Sequence, residues 1–220
     1  MAKKVLTHSL LEALGSVDTA DVNIDPGDGN LVVDGLSENE QVLASGTLQY
    51  LEKNGLPTWS VDTSKHPTRF MIKAAKKGQH WLHLPWAACN GATSWQIHLN
   101  RRVPTAINAH SDGGNIKLDL KGMPVTRVSA HTGGGNVEVI LPDPVAALSV
   151  TAKSGAGNVV VQVPNCIAAR INATTGLGKL MVSPRFIRME KDCFQSPDYD
   201  IAGKKIEMKI SSGAGNIFVE

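Results

Sequence analysis

At 220 residues, with 22 basic and 20 acidic side chains, the chain carries a net charge of only +2, so no broad field of one sign recommends DNA, RNA or an anionic lipid surface as partner. Hydrophobic residues make up 42%, enough for a substantial core in one elongated domain, and no apolar run approaches the roughly 18 residues of a membrane span. Cys89, Cys166 and Cys193 are odd in number and form no C-x-x-C pair, which excludes a complete disulfide framework and points to a reducing compartment.

Residues 1–15 read as an N-terminal tail in which Leu10-Leu11-Glu12-Ala13-Leu14 could form a helical turn. The basic start lacks the long apolar stretch of a signal peptide, so a cytoplasmic location is expected, with membrane association only through a partner. An extracellular location would follow if the chain were trimmed from a longer one.

From residue 16 to 220 a single domain is expected. Its first corner is Pro26-Gly27-Asp28-Gly29-Asn30, and the repeat then fades through residues 16–102. That stretch holds all four tryptophans, Trp59, Trp81, Trp86 and Trp95. Alternation survives in Phe70-Met71-Ile72, in His80-Trp81-Leu82-His83-Leu84 and in Trp95-Gln96-Ile97-His98-Leu99, which read as strands of wider, irregular coils.

Residues 103–220 are regular. Ser111-Asp112-Gly113-Gly114-Asn115 recurs as Thr132-Gly133-Gly134-Gly135-Asn136, Ser154-Gly155-Ala156-Gly157-Asn158, Thr175-Gly176-Leu177-Gly178-Lys179 and Ser212-Gly213-Ala214-Gly215-Asn216, with steps of 21, 22, 21 and 37 residues at the Asn position. The long step implies an insertion at about 185–204. Eight and six residues before each Asn position, and one and three after it, the residues are apolar, as in Val128, Ala130, Val137 and Val139. This is the period-2 signature of one buried strand face.

Each repeat therefore reads as strand, tight corner, strand and return. The constant register of every position favours an all-β, right-handed, single-stranded solenoid with coils of 21–22 residues over an antiparallel meander, which would mirror its positions. The glycine before each Asn position (Gly29, Gly114, Gly135, Gly157, Gly178, Gly215) suggests a positive φ. The row Asn30, Asn115, Asn136, Asn158 and Asn216 predicts a hydrogen-bonding ladder along the axis, broken by Lys179.

Chemistry is sparse. His110 and His131 occupy one repeat position and would stack outside the coil, but Lys153, Thr174, Ser211 and Asp25 hold that position elsewhere, which favours a solvated surface over a metal site. His80, His83 and His98 have no set ligand spacing. Gly176-Leu177-Gly178-Lys179 is a repeat corner and lacks a phosphate-binding G-x-x-x-x-G-K-[ST]. No catalytic residue, metal ligand or cofactor is predicted, and Lys76-Lys77 and Arg101-Arg102 beside tryptophans do not outweigh the small net charge in favour of nucleic acid.

The segments Asp21 to Val33, Tyr50 to Trp59 and Leu99 to Pro104, followed by the serial corners from Asn115 to Asn216, resemble bacterial toastrack domains, grouped with cell-wall-active-antibiotics response (LiaF-type) proteins and adhesin-like domains. The resemblance implies a right-handed β-solenoid without catalytic residues, and a scaffold or protein-interaction role in envelope-stress regulation or adhesion. The alternative is a carbohydrate-binding solenoid that uses Trp59, Trp81, Trp86 and Trp95 as a stacking platform. The last coil, ending at Ile217-Phe218-Val219-Glu220, is expected to leave an open edge for a protein partner or a homodimer.

Overall fold

The computed structural model describes residues 4–37, 40–75, 93–143 and 147–220. They form two long sheets between which the chain passes repeatedly. In chain order the strands are β1 (Val5–Ala13), β2 (Ala20–Asp25), β3 (Asn30–Gly35), β4 (Val42–Leu51), β5 (Thr58–Asp62), β6 (Thr68–Lys73), β7 (Ser94–Leu99), β8 (Thr105–Ser111), β9 (Ile116–Asp119) and β10 (Val125–Thr132). They continue with β11 (Val137–Ile140), β12 (Ala147–Ser154), β13 (Val159–Gln162), β14 (Ala168–Thr175), β15 (Leu180–Val182), β16 (Ile187–Glu190), β17 (Cys193–Gln195), β18 (Lys205–Ser212) and β19 (Ile217–Val219).

A coil is one strand in each sheet, joined by a corner wherever the connection lies among the described residues. In chain order the coils are β2–β3, β6–β7, β8–β9, β10–β11, β12–β13, β14–β15 and β18–β19, numbered one to seven below. Equivalent strands pair in parallel and in register, for example Val128 with Ile107 on one side and Val150 on the other. The chain is thus a β-solenoid. Alternation puts Val22, Val128, Val150, Met208 and Ile171 inside from one sheet and Leu31, Val137, Val159 and Ile217 from the other, each no more than 1% exposed. Alanines 109, 130, 152 and 173, with Ile24 in coil one and Ile210 in coil seven, stand two residues nearer the corner and are also buried.

The coils do not stack in chain order. The first sheet runs β1-β4-β7-β3-β9-β11-β13-β19-β15 and the second β16-β17-β14-β18-β12-β10-β8-β2-β6-β5. In space the coils run two, one, three, four, five, seven, six. Coil seven lies between five and six, with β19 paired to β13 on one side and β15 on the other. The expectation of an open edge at the last strand is therefore corrected: the outermost coil is the sixth. Because β15 ends the first sheet, Leu180 and Val182 are only half-buried although their repeat equivalents are fully enclosed.

Both exchanged ends carry an arginine clamp. Arg101, just after β7, donates Nε to the Leu36 carbonyl at 2.7 Å in coil one and Nη1 to the Lys121 carbonyl at 2.7 Å in coil three. Arg185, after β15, donates Nη2 to the Val163 carbonyl at 2.8 Å in coil five, past the intervening coil seven. Burial lowers the pKa of the Arg185 guanidinium, which also lies 4.3 Å from the Phe186 ring centre.

Antiparallel strands finish the stack. Residues 5–13 are not a tail: β1 pairs along its whole length with β4, and Leu10 is 2% exposed. The adjacent Leu10 and Leu11 imitate a helical pattern, but only Leu10 points inward and Leu11 is 70% exposed. At the other end the insertion supplies the hairpin β16–β17, which pairs antiparallel to β14. The following loop packs Tyr199, 5% exposed, with its hydroxyl 3.2 Å from Glu207.

Candidate functional site

Two polar ladders run up the corners. Asn30 Oδ1 accepts the backbone N–H of Asn115 at 2.9 Å, Asn115 that of Asn136 at 2.8 Å, Asn136 that of Asn158 at 2.8 Å, and Asn158 that of Asn216 at 2.8 Å. Asn216 completes the row by accepting the N–H of Lys179 at 2.9 Å. Lys179 does not interrupt the ladder, because coil six is its last rung among the described residues and needs only a donor.

The second ladder escaped the sequence reading. Thr132 Oγ1 donates to the Gly114 carbonyl at 2.7 Å, Ser154 Oγ to Gly135 at 2.7 Å, Ser212 Oγ to Gly157 at 2.8 Å and Thr175 Oγ1 to Gly215 at 2.8 Å. Ser154 Oγ also accepts the Gly157 N–H at 2.7 Å, closing its own corner. These hydroxyls, 0% exposed at Ser111 and Thr132, are paired as buried polar groups must be. The Ser or Thr that opens every regular corner was the available signal.

The glycines before the Asn positions do not adopt positive φ, which among the described glycines is confined to Gly15, Gly27, Gly55 and Gly122. Their reason is close approach. A Cβ on Gly135 would lie 2.2 Å from the Gly114 carbonyl oxygen, and one on Gly157 2.1 Å from that of Gly135. The same holds for Gly114 against Gly29, Gly215 against Gly157 and Gly178 against Gly215. The corners hold the coils together.

The outward face of the second sheet is the polar surface the fold displays. Register aligns Asn108, Ser129 and Thr151 in one row and His110, His131 and Lys153 in the next. Lys73 and Asp25 continue the second row on β6 and β2. Here lies a shallow groove of about 540 Å³, lined in part by Lys73, Asn23, Asn108, Ser129 and both histidines. The His110 and His131 rings are 5.3 Å apart and tilted by 67°. His110 Nε2 is 3.3 Å from Asp112 Oδ1. Partial burial, then His110, then Lys153 lower the pKa of His131.

Trp59 and Trp95, the tryptophans among the described residues, do not form an exposed platform. Trp95 is 1% exposed and donates Nε1 to the Gln49 carbonyl at 3.0 Å. Trp59 packs partly buried against the core, 5.4 Å from the His8 ring. Trp81, Trp86, His80, His83, Cys89 and Lys76-Lys77 lie outside the described residues. His98 pairs with Asp34 on the first sheet, whereas His110 lies on the second. Cys166 is exposed, its pKa raised chiefly by a hydrogen bond to Asp143. Among the described residues no three His, Cys, Asp or Glu side chains are placed to hold a metal, and no helix is long and apolar enough to cross a membrane.

Comparison with solved structures gives a candidate cell-adhesion protein from Clostridium sporogenes, 23% identical, aligned over 98% of this chain and 99% of that one with a TM-score of 0.86. At that identity the match establishes the fold. A candidate adhesin from Bacteroides fragilis, 10% identical over 100% of this chain and 98% of that one, superposes at a TM-score of only 0.38, too low to bear on the architecture. A comparison with curated proteins finds no match. The family profile described as the N-terminal domain of toast_rack, DUF2154, matches residues 3–162, ending where β13 ends. With most of its length inside that profile and the serial Gly-Asn corners stacked as one solenoid, the chain belongs to the toast_rack family.

Proposed function

We propose that this chain is a rigid, non-enzymatic interaction module that presents the outer face of its second sheet to a component of the bacterial cell envelope, in adhesion or in envelope-linked regulation. The observation that carries this reading is the division of labour among polar groups. The Asn and hydroxyl ladders are consumed in fixing the coils, whereas the rows headed by Asn108 and His110 are aligned by the same register yet project outward. A regular array of outward polar side chains on a stiff support suits recognition of an extended ligand.

The adhesion designation of the Clostridium sporogenes protein supports this reading over a purely structural role. Adhesion places the module outside the cell, and regulation holds it inside at the membrane through a partner. A tryptophan platform is disfavoured by the burial of Trp95 and the core packing of Trp59.

Beads coated with the protein, applied to bacterial envelope fractions, test the proposal. Retention that is lost in a Ser129→Arg, Thr151→Arg variant of unchanged melting temperature is expected. Equal retention of the variant, or none of the parent, contradicts it.

A further inference from the structure

We propose that the groove on the outer face of the second sheet is a binding site for a linear, carboxylate-bearing polysaccharide, with Lys73, His110, His131 and Lys153 holding its carboxylates and the adjacent row holding its hydroxyls. This rests on the interaction-module reading and names the ligand class.

Three observations converge. Lys73, His110, His131 and Lys153 share one register row across four of five neighbouring strands, so basic side chains recur along the solenoid axis at one or two strand spacings of about 4.8 Å, with Asp25 the one interruption. Lys73, His110 and His131 line a concavity together with Arg69, Asp21 and Asp25, and Lys153 extends the row beyond it. Beside it, two residues along each strand, stand Asn23, Asn108, Ser129 and Thr151. Asn108 Nδ2 is engaged by Asp21 at 2.9 Å, which fixes that amide as part of a pre-formed surface. A polyphosphate would use the cations and leave the neutral row idle. A neutral glycan would do the reverse. A polysaccharide that alternates carboxylates with hydroxyls uses both.

The groups facing the histidines set a pH response. His110 is faced by Asp25 on β2, by His131 on β10 and by Asp112 from its own corner. His131 is faced by His110 and by Lys153 on β12. Asp25 and Asp21 share the groove with both histidines, and Asp25 Oδ1 accepts the Gly27 N–H at 3.0 Å. With neutral histidines the row holds two lysines against Asp25 and Asp112. Protonation of His131, whose pKa is lowered by partial burial and its cationic neighbours, adds positive charge to the row as pH falls. A bound carboxylate then relieves the repulsion between the His131 imidazolium and Lys153, so uptake of ligand and protons is coupled.

Polygalacturonate is the probe, measured by calorimetry on the full chain at pH 7.5 and 5.5, with dextran and long-chain polyphosphate beside it. Polygalacturonate is expected to bind up to about fivefold tighter at pH 5.5, as one added surface ion pair at His131 allows, and to weaken with salt. His110→Gln with His131→Gln should remove the pH response, and Ser129→Ala with Thr151→Ala should weaken polygalacturonate but not polyphosphate. Melting curves check that each variant is folded. Absence of polygalacturonate binding at pH 5.5, an unchanged pH response in the histidine variant, or tighter binding of polyphosphate overturns the proposal. Envelope retention of the parent protein in the bead experiment would persist if only the ligand class were wrong, and would vanish if the module reading itself failed.

Discussion

Asn216 Oδ1 accepts the backbone N–H of Lys179 at 2.9 Å although it follows Lys179 by 37 residues in the chain. The bond runs backwards along the sequence because coil seven lies inside coil six. It also explains why the one non-Asn residue in the regular row sits where it does, since the outermost described rung donates its backbone N–H and has no further rung from which to accept.

The glycine columns give the sharpest contrast between neighbouring residues. A Cβ at Gly135 meets backbone at 2.2 Å, whereas one at Gly134 has nothing closer than 3.8 Å. Gly135→Ala should cost about 3 kcal/mol, as overpacking against an immovable carbonyl does, and Gly134→Ala should stay within about 0.5 kcal/mol of the parent. Urea unfolding midpoints measure both. Equal effects would mean that the corners are less closely stacked than the structure shows.

Much of this was legible in the sequence, and the reason is local. The period-2 pattern around Asn115, Asn136 and Asn158 reports which side chains face inward, and the fixed register reports parallel stacking. The order of the coils was not legible. Every coil offers its neighbours the same apolar rows and the same Asn, so pattern alone cannot tell whether Ser154 stacks beneath Thr175 or beneath Ser212. The outer groove was hidden for a related reason: it joins Lys73 and Asn23 to His110, and the adjacency of β6, β2 and β8 crosses the irregular segment. The glycine pattern was visible but admitted two physical causes, of which close approach is the operative one.

The amide ladder should be worth measuring rung by rung. Asn136→Ala removes the acceptor for the Asn158 N–H and should cost about 1 kcal/mol, the net value of a typical hydrogen bond. Lys179→Ala should be nearly neutral, because the backbone N–H of residue 179 keeps its bond to Asn216. Thermal unfolding of the two variants side by side reads the difference, and a larger loss at position 179 would contradict its place at the end of the row.

Thr132→Val keeps the shape of a buried side chain but strips the Gly114 carbonyl and the Gly135 N–H of a partner. Leaving such groups unsatisfied costs about 1–3 kcal/mol. Thr132→Ser retains the hydroxyl and should recover most of the loss in denaturant titrations. If valine and serine behave alike, the hydroxyl ladder contributes little.

His131 supplies a pH-dependent term whose sign follows from its lowered pKa. Between the folded value and the ordinary 6.5 of the unfolded chain, the unfolded state binds more protons, so stability rises with pH through that window and is lost as pH falls below about 6.5. His110→Gln removes one of the neighbours that depress His131 and should raise its pKa. Proton NMR of the His131 ring follows the titration, and an unmoved or lowered value would show that His110 does not act on it.

Cross-linking tests the coil order, on which the ladders and the outer rows depend, most directly. Lys153 is in register with Ser211, which is in turn in register with Thr174. A chain with Cys89, Cys166 and Cys193 replaced by serine and carrying Lys153→Cys and Ser211→Cys should oxidise readily to an intramolecular disulfide, because adjacent strands bring the Cα atoms within the bonding range of about 4.4–6.8 Å. The matched pair Lys153→Cys and Thr174→Cys spans two strand spacings, about 10 Å, and should remain reduced under the same conditions. Rapid bridging of 153 to 174 with none between 153 and 211 would mean that the coils stack in chain order, and would contradict the architecture described above.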